Sequence, residues 1–223
     1  MARKKLKRFK DNNAYPHVIE PAREEASQGI EQKGKWRQWF GADAPLVLEL
    51  GCGKGEYTIT LAKKHPEKLF IGVDIKGARI WYGATEAHEL NIKNAAFLRT
   101  EISLIDGCFT KEEVDEIWIT FPDPQIKYRR TKHRLTHPEQ LMRYARLLKP
   151  GGTLHLKTDS AFLHGYTLGV LQDNEAFKVE EAYFDIDHQL TNKSSVLHSV
   201  QTHYEGMFRA KGNAITYIRC TRV

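Results

Sequence analysis

Leu46-Val47-Leu48-Glu49-Leu50-Gly51-Cys52-Gly53-Lys54-Gly55 reads as a buried strand that runs into a turn with three glycines at alternate positions. A short apolar run bounded by turn residues is the pattern of a strand covered on both faces. Glycine lets the backbone turn sharply and lets a ligand approach the chain closely. A helix is expected from near Glu56. In open α/β sheets ligands sit at the carboxyl ends of the strands, so this turn marks the site of a nucleotide-like cofactor. Gly51, Gly53 and Gly55 are evenly spaced and preceded by Glu49, whereas the dinucleotide fingerprint places its last glycine three residues after the second.

The alternation of strand and helix continues beyond the turn. Residues 69–73 form a second apolar run that stops at Asp74, and Ile80, Trp81, Ala84, Ala87 and Leu90 follow at helical spacing. Further strands are expected at 95–98, 116–120 and 153–157, the last after Pro150-Gly151-Gly152. A helix over 161–171, strands at 177–184 and 214–221 and a helix around 202–210 complete the pattern. This predicts an α/β fold with a mainly parallel sheet, an antiparallel edge strand and helices on both faces. Residues 1–40 lack a clear strand pattern and read as a basic N-terminal extension, with a short helix ending at Trp36, Trp39 and Phe40. Those aromatics are expected to pack it onto a domain spanning 41–223.

At 223 residues and 41% hydrophobic, the chain has the composition of a globular protein. Its net charge of +6 is unevenly placed. Arg3, Lys4, Lys5, Lys7, Arg8 and Lys10 crowd the first ten residues, and Lys127, Arg129, Arg130, Lys132 and Arg134 lie within 124–134, with no acid in either segment. The rest of the chain is therefore net acidic, and the basicity sits where a polyanion can be met. The N-terminal arm is expected to be a mobile second contact. Cys52, Cys108 and Cys220 are widely spaced, which argues against a disulfide framework and against a zinc site, so no metal is expected. No run approaches the roughly 18 apolar residues of a membrane span, and a cytoplasmic protein is expected. Both a monomer and a homodimer fit the sequence.

The glycine turn resembles the first motif, E/D-x-G-x-G-x-G, of S-adenosylmethionine-dependent methyltransferases with a Rossmann-like fold. That resemblance implies S-adenosylmethionine as cofactor, held by Glu49, Gly51, Gly53 and Gly55. Asp74, about 20 residues past the glycines, stands where an acid accepts hydrogen bonds from both ribose hydroxyls. Glu101 follows the third strand and would border the adenine or its ribose. After the fourth strand, Phe121-Pro122-Asp123-Pro124 occupies the place of the D/N-P-P-Y/F turn of amino-methylating nucleic-acid enzymes, with a different order of residues.

The segment from Phe121 to Leu135, the glycine turn, Lys157-Thr158-Asp159 and Thr202-His203-Tyr204-Glu205 together resemble the tRNA (guanine-N7-)-methyltransferase family. Gln125 and Ile126 depart from it, standing where Trp and Pro or His are usual. Asp74 replaces a more usual Glu, and Glu101-Ile102 a more usual Asp-Ala. The resemblance implies methyl transfer to N7 of a guanine in the variable region of tRNA. Asp123 is then the catalytic residue, also facing the cofactor, and Lys127, Asp159, Thr202, Tyr204 and Glu205 are substrate contacts. Arg129, Arg130, Lys132, His133 and Arg134 form a band for the RNA backbone. Guanine N7 carries a free lone pair, so no catalytic base is required. Two other readings stay open on the residues alone: a methyltransferase acting on another RNA or a non-RNA substrate, and a non-catalytic RNA-binding protein on the same scaffold.

Overall fold

The computed structural model describes residues 2–192 and 195–223. These residues form two compact units that divide between Val114 and Asp115. Among them, no helix is long and apolar enough to cross a membrane.

The first unit holds α1 (Ala2–Ala14), β1 (Val18–Ile19), α2 (Arg23–Gln28), α3 (Trp36–Phe40), β2 (Leu46–Leu50), α4 (Glu56–Lys64), β3 (Leu69–Asp74), α5 (Gly77–Glu89), β4 (Ala95–Arg99) and a 3-10 turn at Ile102–Gly107. Its strands lie in the order β1-β4-β3-β2, and every pairing is parallel. β2 is buried at all five positions, as a strand covered on both faces must be. The spacing of Ile80, Ala84 and Ala87 does put them inside, but Leu90 falls past the end of α5 and is exposed.

The N-terminal residues depart from the expectation. The basic arm is helical and docks on α5, because Arg8 donates to the Tyr82 hydroxyl at 2.7 Å and the buried Asn12 donates to the Gly77 carbonyl at 2.9 Å. Trp81 Nε1 donates to Asp11 Oδ2 at 2.9 Å from the other side of that contact. The side chains of Arg3, Lys4 and Lys5 lie outside the described residues. β1, too short for any periodicity to reveal, pairs Val18 with Phe97. Trp36 is fully buried, stacks on Phe109 and donates through Nε1 to the Cys108 carbonyl at 2.9 Å, so it packs as expected, whereas Trp39 is exposed and departs from that expectation.

The second unit contains β5 (Val114–Thr120), a 3-10 turn at Tyr128–His133, α6 (Pro138–Leu147), β6 (Leu148–Thr158), α7 (Ala161–Gln172), β7 (Phe177–Tyr183), α8 (Ile186–Gln189), α9 (Val196–Ser199), α10 (His203–Ala210) and β8 (Thr216–Arg222). Strand order is β5-β6-β8-β7, and β8 runs antiparallel to both β6 and β7. The mainly parallel pairing with an antiparallel edge therefore matches the sequence reading. α6 went unread, although it opens on Pro138, a residue pre-set for the first helical turn.

Packing in the first unit turns on Phe97. A Cβ added to Gly55, Gly72 or Gly83 would come within 2.5, 2.9 and 2.6 Å of its ring. Gly83→Ala would also bring its methyl to 2.8 Å from the Lys54 carbonyl oxygen, so it is expected to destabilise the protein by about 1–3 kcal/mol through overpacking. Gly165→Ala, in α7 with open space around the new methyl, is expected to stabilise by about 0.5–1 kcal/mol. Urea unfolding of the two variants beside wild type checks the pair; equal shifts would show that the ring does not confine α5.

Candidate active site

Within the first unit the glycine turn is built by backbone conformation. Gly51, Gly53 and Gly55 all have left-handed φ values, 77°, 57° and 73°, which explains their alternate spacing: an L side chain at any of the three would be strained. The amides of Gly51 and Cys52 both donate to the Val73 carbonyl, tying the turn to the end of β3. Asp74 adds a side-chain tie. Its Oδ2 accepts from the Gly53 amide at 2.9 Å and its Oδ1 from the Lys76 amide at 2.8 Å. Each oxygen keeps lone-pair capacity for a further donor.

Glu49 is placed differently from a direct cofactor contact. It is buried, and its Oε2 accepts from the Thr58 amide at 2.9 Å and from the Thr58 hydroxyl at 2.5 Å. The carboxylate thus satisfies an orphan donor in the first turn of α4, where negative charge also complements the helix dipole. Glu49 shapes the turn from beneath. Glu101 is half-buried, forms an ion pair with Arg23 and accepts from Ser103 Oγ at 3.3 Å. Cys52 is buried, and burial, followed by the charges of Glu49 and Asp74, pushes its thiol well above the ordinary range. It stays protonated and is no nucleophile.

The turn fits S-adenosylmethionine on its own geometry. Nothing lies within 4 Å of where a Gly53 Cβ would stand, so the backbone there is open to a closely approaching ligand. Asp74 sits beside it at the strand end, the position from which an acid meets ribose hydroxyls.

In the second unit the segment after β5 is a strained turn. Phe121 and Gln125 are non-glycine residues with φ of 47° and 45°, one at each end of Pro122-Asp123-Pro124. The strain is held from three sides. The Phe121 amide donates to the Lys157 carbonyl at 2.8 Å, the Phe121 ring stacks on Phe208, and Arg134 donates to the Gln125 carbonyl at 3.1 Å. Asp123 is exposed in the middle, with Oδ1 accepting from the Gln125 amide at 3.0 Å. Such over-determined strain is a mark of functional turns.

Lys127, Arg129, Arg130, Lys132 and His133 are exposed, as a backbone-binding band requires. Arg134 does not belong with them. It is 5% exposed, and its guanidinium lies over the rings of Tyr166 and Phe162 at 4.3 and 4.8 Å. Its planar cation is used inside the protein, and a residue so placed cannot reach a phosphate. Nothing in the run of cations distinguished it; the following Leu135-Thr136, which turns the chain inward, was the only hint.

Glu205 is the second correction. It is fully buried, with Oε2 2.7 Å from Lys157 Nζ, and Oε1 accepts from Arg209 at 3.0 and 2.8 Å. Lys157 Nζ also donates to the carbonyls of Leu197 and Val200, at 2.7 and 3.0 Å. Arg209 reaches on to Asp187, whose other oxygen faces His198 at 3.4 Å. Burial pulls the Lys157 ammonium below its ordinary range, and the Glu205 carboxylate works against that shift. Glu205 is thus an anchor and not a base contact. Thr202 caps α10, its hydroxyl accepting from the Glu205 amide at 3.1 Å, and Tyr204 is exposed beside it. Asp159 is half-buried at the end of β6 and has no hydrogen bond or ion pair among the described residues.

The strand order, the glycine turn and the acid closing β3 are those of a Rossmann-like methyltransferase. A protein-family model described as "Putative methyltransferase" matches residues 43–218. The tRNA (guanine-N(7)-)-methyltransferase of Christiangramia forsetii is 53% identical over 220 residues, covering 98% of this chain and 97% of that protein. The tRNA (guanine-N(7)-)-methyltransferase of Bacteroides thetaiotaomicron is 46% identical, covering 98% of this chain and 86% of that protein. Among solved structures, the 16S rRNA methyltransferase KamB has the same fold, with a TM-score of 0.64 at 13% identity over 85% of this chain and 93% of that one. The chain belongs to the tRNA (guanine-N7-)-methyltransferase family.

The buried network gives the next prediction. Lys157→Met leaves the Glu205 carboxylate without its ammonium partner and frees two carbonyls, and is expected to cost about 3–5 kcal/mol. Lys127→Met, at an exposed site, is expected to stay within about 0.5 kcal/mol of wild type. Urea midpoints at unchanged m-value measure both; a small loss for Lys157→Met would refute the anchoring role.

Proposed function

We propose that this protein transfers the methyl group of S-adenosylmethionine to N7 of a guanine in tRNA. The observation that carries the reading is the turn at 121–125. It holds an exposed carboxylate between two left-handed residues and leads directly into exposed Lys127, Arg129, Arg130, Lys132 and His133. Membership of a family whose curated members bear this activity supplies the reaction.

The residues divide the work as follows. Gly51, Gly53, Gly55 and Asp74 bind the cofactor, with Glu49 fixing the turn under them and Glu101 at the margin. When bound, S-adenosylmethionine supplies an electrophilic methyl on a sulfonium. The guanine N7 lone pair needs no deprotonation, so the protein must align the base and stabilise the positive charge that the purine gains. Asp123 does this electrostatically. Asp159, Thr202 and Tyr204 accept or orient the base edge, since guanine offers N1–H and N2–H donors to an acceptor such as a carboxylate. Lys127, Arg129, Arg130 and Lys132 meet the phosphates with His133 beside them, Arg134 excluded.

The direct test incubates the full chain with methyl-labelled S-adenosylmethionine and unmodified tRNA, then maps the modified base. Label at guanine N7 is the expected result, and label elsewhere would replace the substrate assignment. Asp123→Asn is expected to lower kcat by about 10²–10³. Near-normal turnover would remove Asp123 from its role.

A separate expectation concerns salt. Affinity for tRNA should fall steeply as salt rises, and Lys132→Ala should reduce the slope of log affinity against log salt by about one. Filter binding across a salt series measures this; a flat profile would contradict the phosphate band.

A further inference from the structure

A cavity of about 540 Å³ lies within the first unit, with His17, Trp39, His88, Asn91, Lys93 and Ala95 in its lining. Ala95 opens β4 and His88 stands in the last turn of α5, so the cavity lies at the amino ends of the strands, whereas the glycine turn and Asp74 lie at their carboxyl ends. Nothing in the mechanism uses it. Its size falls in the usual range for small-ligand sites.

Its walls are flat and aromatic. Trp39 is held edge-on by Phe40 and by Trp36, at ring separations of 4.9 and 5.7 Å, which fixes its plane while leaving it 36% exposed. Two further lining rings, His17 and His88, lie 6.4 Å apart and near-parallel, and both are backed by Tyr15, at 5.5 and 4.8 Å. Rings pre-set in this way are platforms for a planar ligand.

Its polar lining carries no negative charge. Lys93 has no ion pair and Asn91 no side-chain hydrogen bond among the described residues, and no carboxylate lines the cavity. His17 Nε2 is 2.9 Å from the Ala84 carbonyl, an acceptor, so Nε2 carries the proton and Nδ1 presents a lone pair. Burial, aided by the charges of His88 and Lys93, holds this imidazole below its ordinary pKa, in the neutral form, against the pull of the Ala84 carbonyl. Asn91 at φ 53° stands in the left-handed region at the rim. Flat walls, one acceptor, one carboxamide and one free ammonium match a heterocyclic base joined to a phosphate. A purely apolar ligand would leave these polar groups without partners.

The geometry points to a second binding site in this cavity, for a nucleoside monophosphate unit whose base stacks on Trp39 and whose phosphate meets Lys93. The unit can be free or part of the tRNA, and the test separates the two.

The full chain is titrated calorimetrically with adenosine and guanosine 5′-monophosphate while saturating S-adenosylhomocysteine fills the cofactor turn. Trp39→Ala and Lys93→Glu, both on exposed side chains, are titrated alongside, and tRNA affinity of all three proteins is measured by filter binding. The base-stacking contribution leads to an expected weakening of at least about fivefold in Trp39→Ala. Saturable mononucleotide binding that both variants weaken, with tRNA affinity unchanged, identifies a free nucleotide as the occupant. Weakened tRNA affinity in both variants, with or without mononucleotide binding, identifies a nucleotide of the tRNA. Variants equal to wild type in both measurements overturn the proposal. Neither readout involves methyl transfer, so loss of the proposed reaction and loss of this site would be seen separately.

Discussion

The fit of the Phe97 ring against three glycines is the constraint on which the first unit depends. Gly55 belongs to the turn, Gly72 to β3 and Gly83 to α5, and none has room for a methyl group toward the ring. One aromatic side chain therefore sets how near the glycine turn, a strand and a helix come to one another. Close packing leaves no slack to absorb a substituent, so the turn inherits the rigidity of the core. Two carboxylates then complete what sterics begin: Glu49 secures α4 from inside and Asp74 ties the Gly53 amide to the end of β3. Only Asp74 keeps a half-exposed carboxylate at the turn, which is why it and not Glu49 is the acid placed to meet a ligand.

The second unit solves the opposite problem, holding cations away from water. Arg134 spreads its charge over two aromatic faces and gives its donors to a carbonyl, which a weakly hydrated guanidinium tolerates. Lys157 is a compact ammonium and needs more: two carbonyls and a carboxylate surround it. A buried pair of this kind is poor evidence for net stability, because desolvation offsets much of the attraction. What it does is position: the ammonium ties Leu197, Val200 and Glu205 to one point of β6.

Most of the fold was legible because its signals are local. Apolar runs gave β2, β3 and β4 to within a residue, helical spacing gave α5, and the helix expected over 161–171 is α7. β1 was hidden because two residues carry no period, and α1 because its polar sequence is stabilised by contacts with α5 that lie some 70 positions away in the chain. At the site, residue types named the turn and the cationic run, but not which side chains face inward. Arg134 reads like its neighbours, and Glu205 reads like the acid of a Thr-x-x-Glu capping box. In fact Thr202 performs its half of the box, accepting from the Glu205 amide, while the Glu205 carboxylate turns to Lys157 and Arg209. Glu205 meets Arg209 one turn away but also Lys157, 48 positions back, and that distant partner leaves no mark in the local pattern.

Lys157 also links the turn that carries Asp123 to the segment that carries Thr202 and Tyr204. Its backbone carbonyl accepts from the Phe121 amide at the start of the strained turn, and its side chain holds the chain that leads into Thr202. Phe121 in turn stacks on Phe208 of the helix that Thr202 caps. The exposed carboxylate of Asp123 and the exposed ring of Tyr204 thus belong to elements fastened to the same residue of β6. Polar contacts of this kind are directional, so they fix orientation where hydrophobic packing alone would permit sliding. The half-buried Asp159, two positions further along, shares that fixed frame, and the three groups keep their mutual placement without any of them being drawn into the interior.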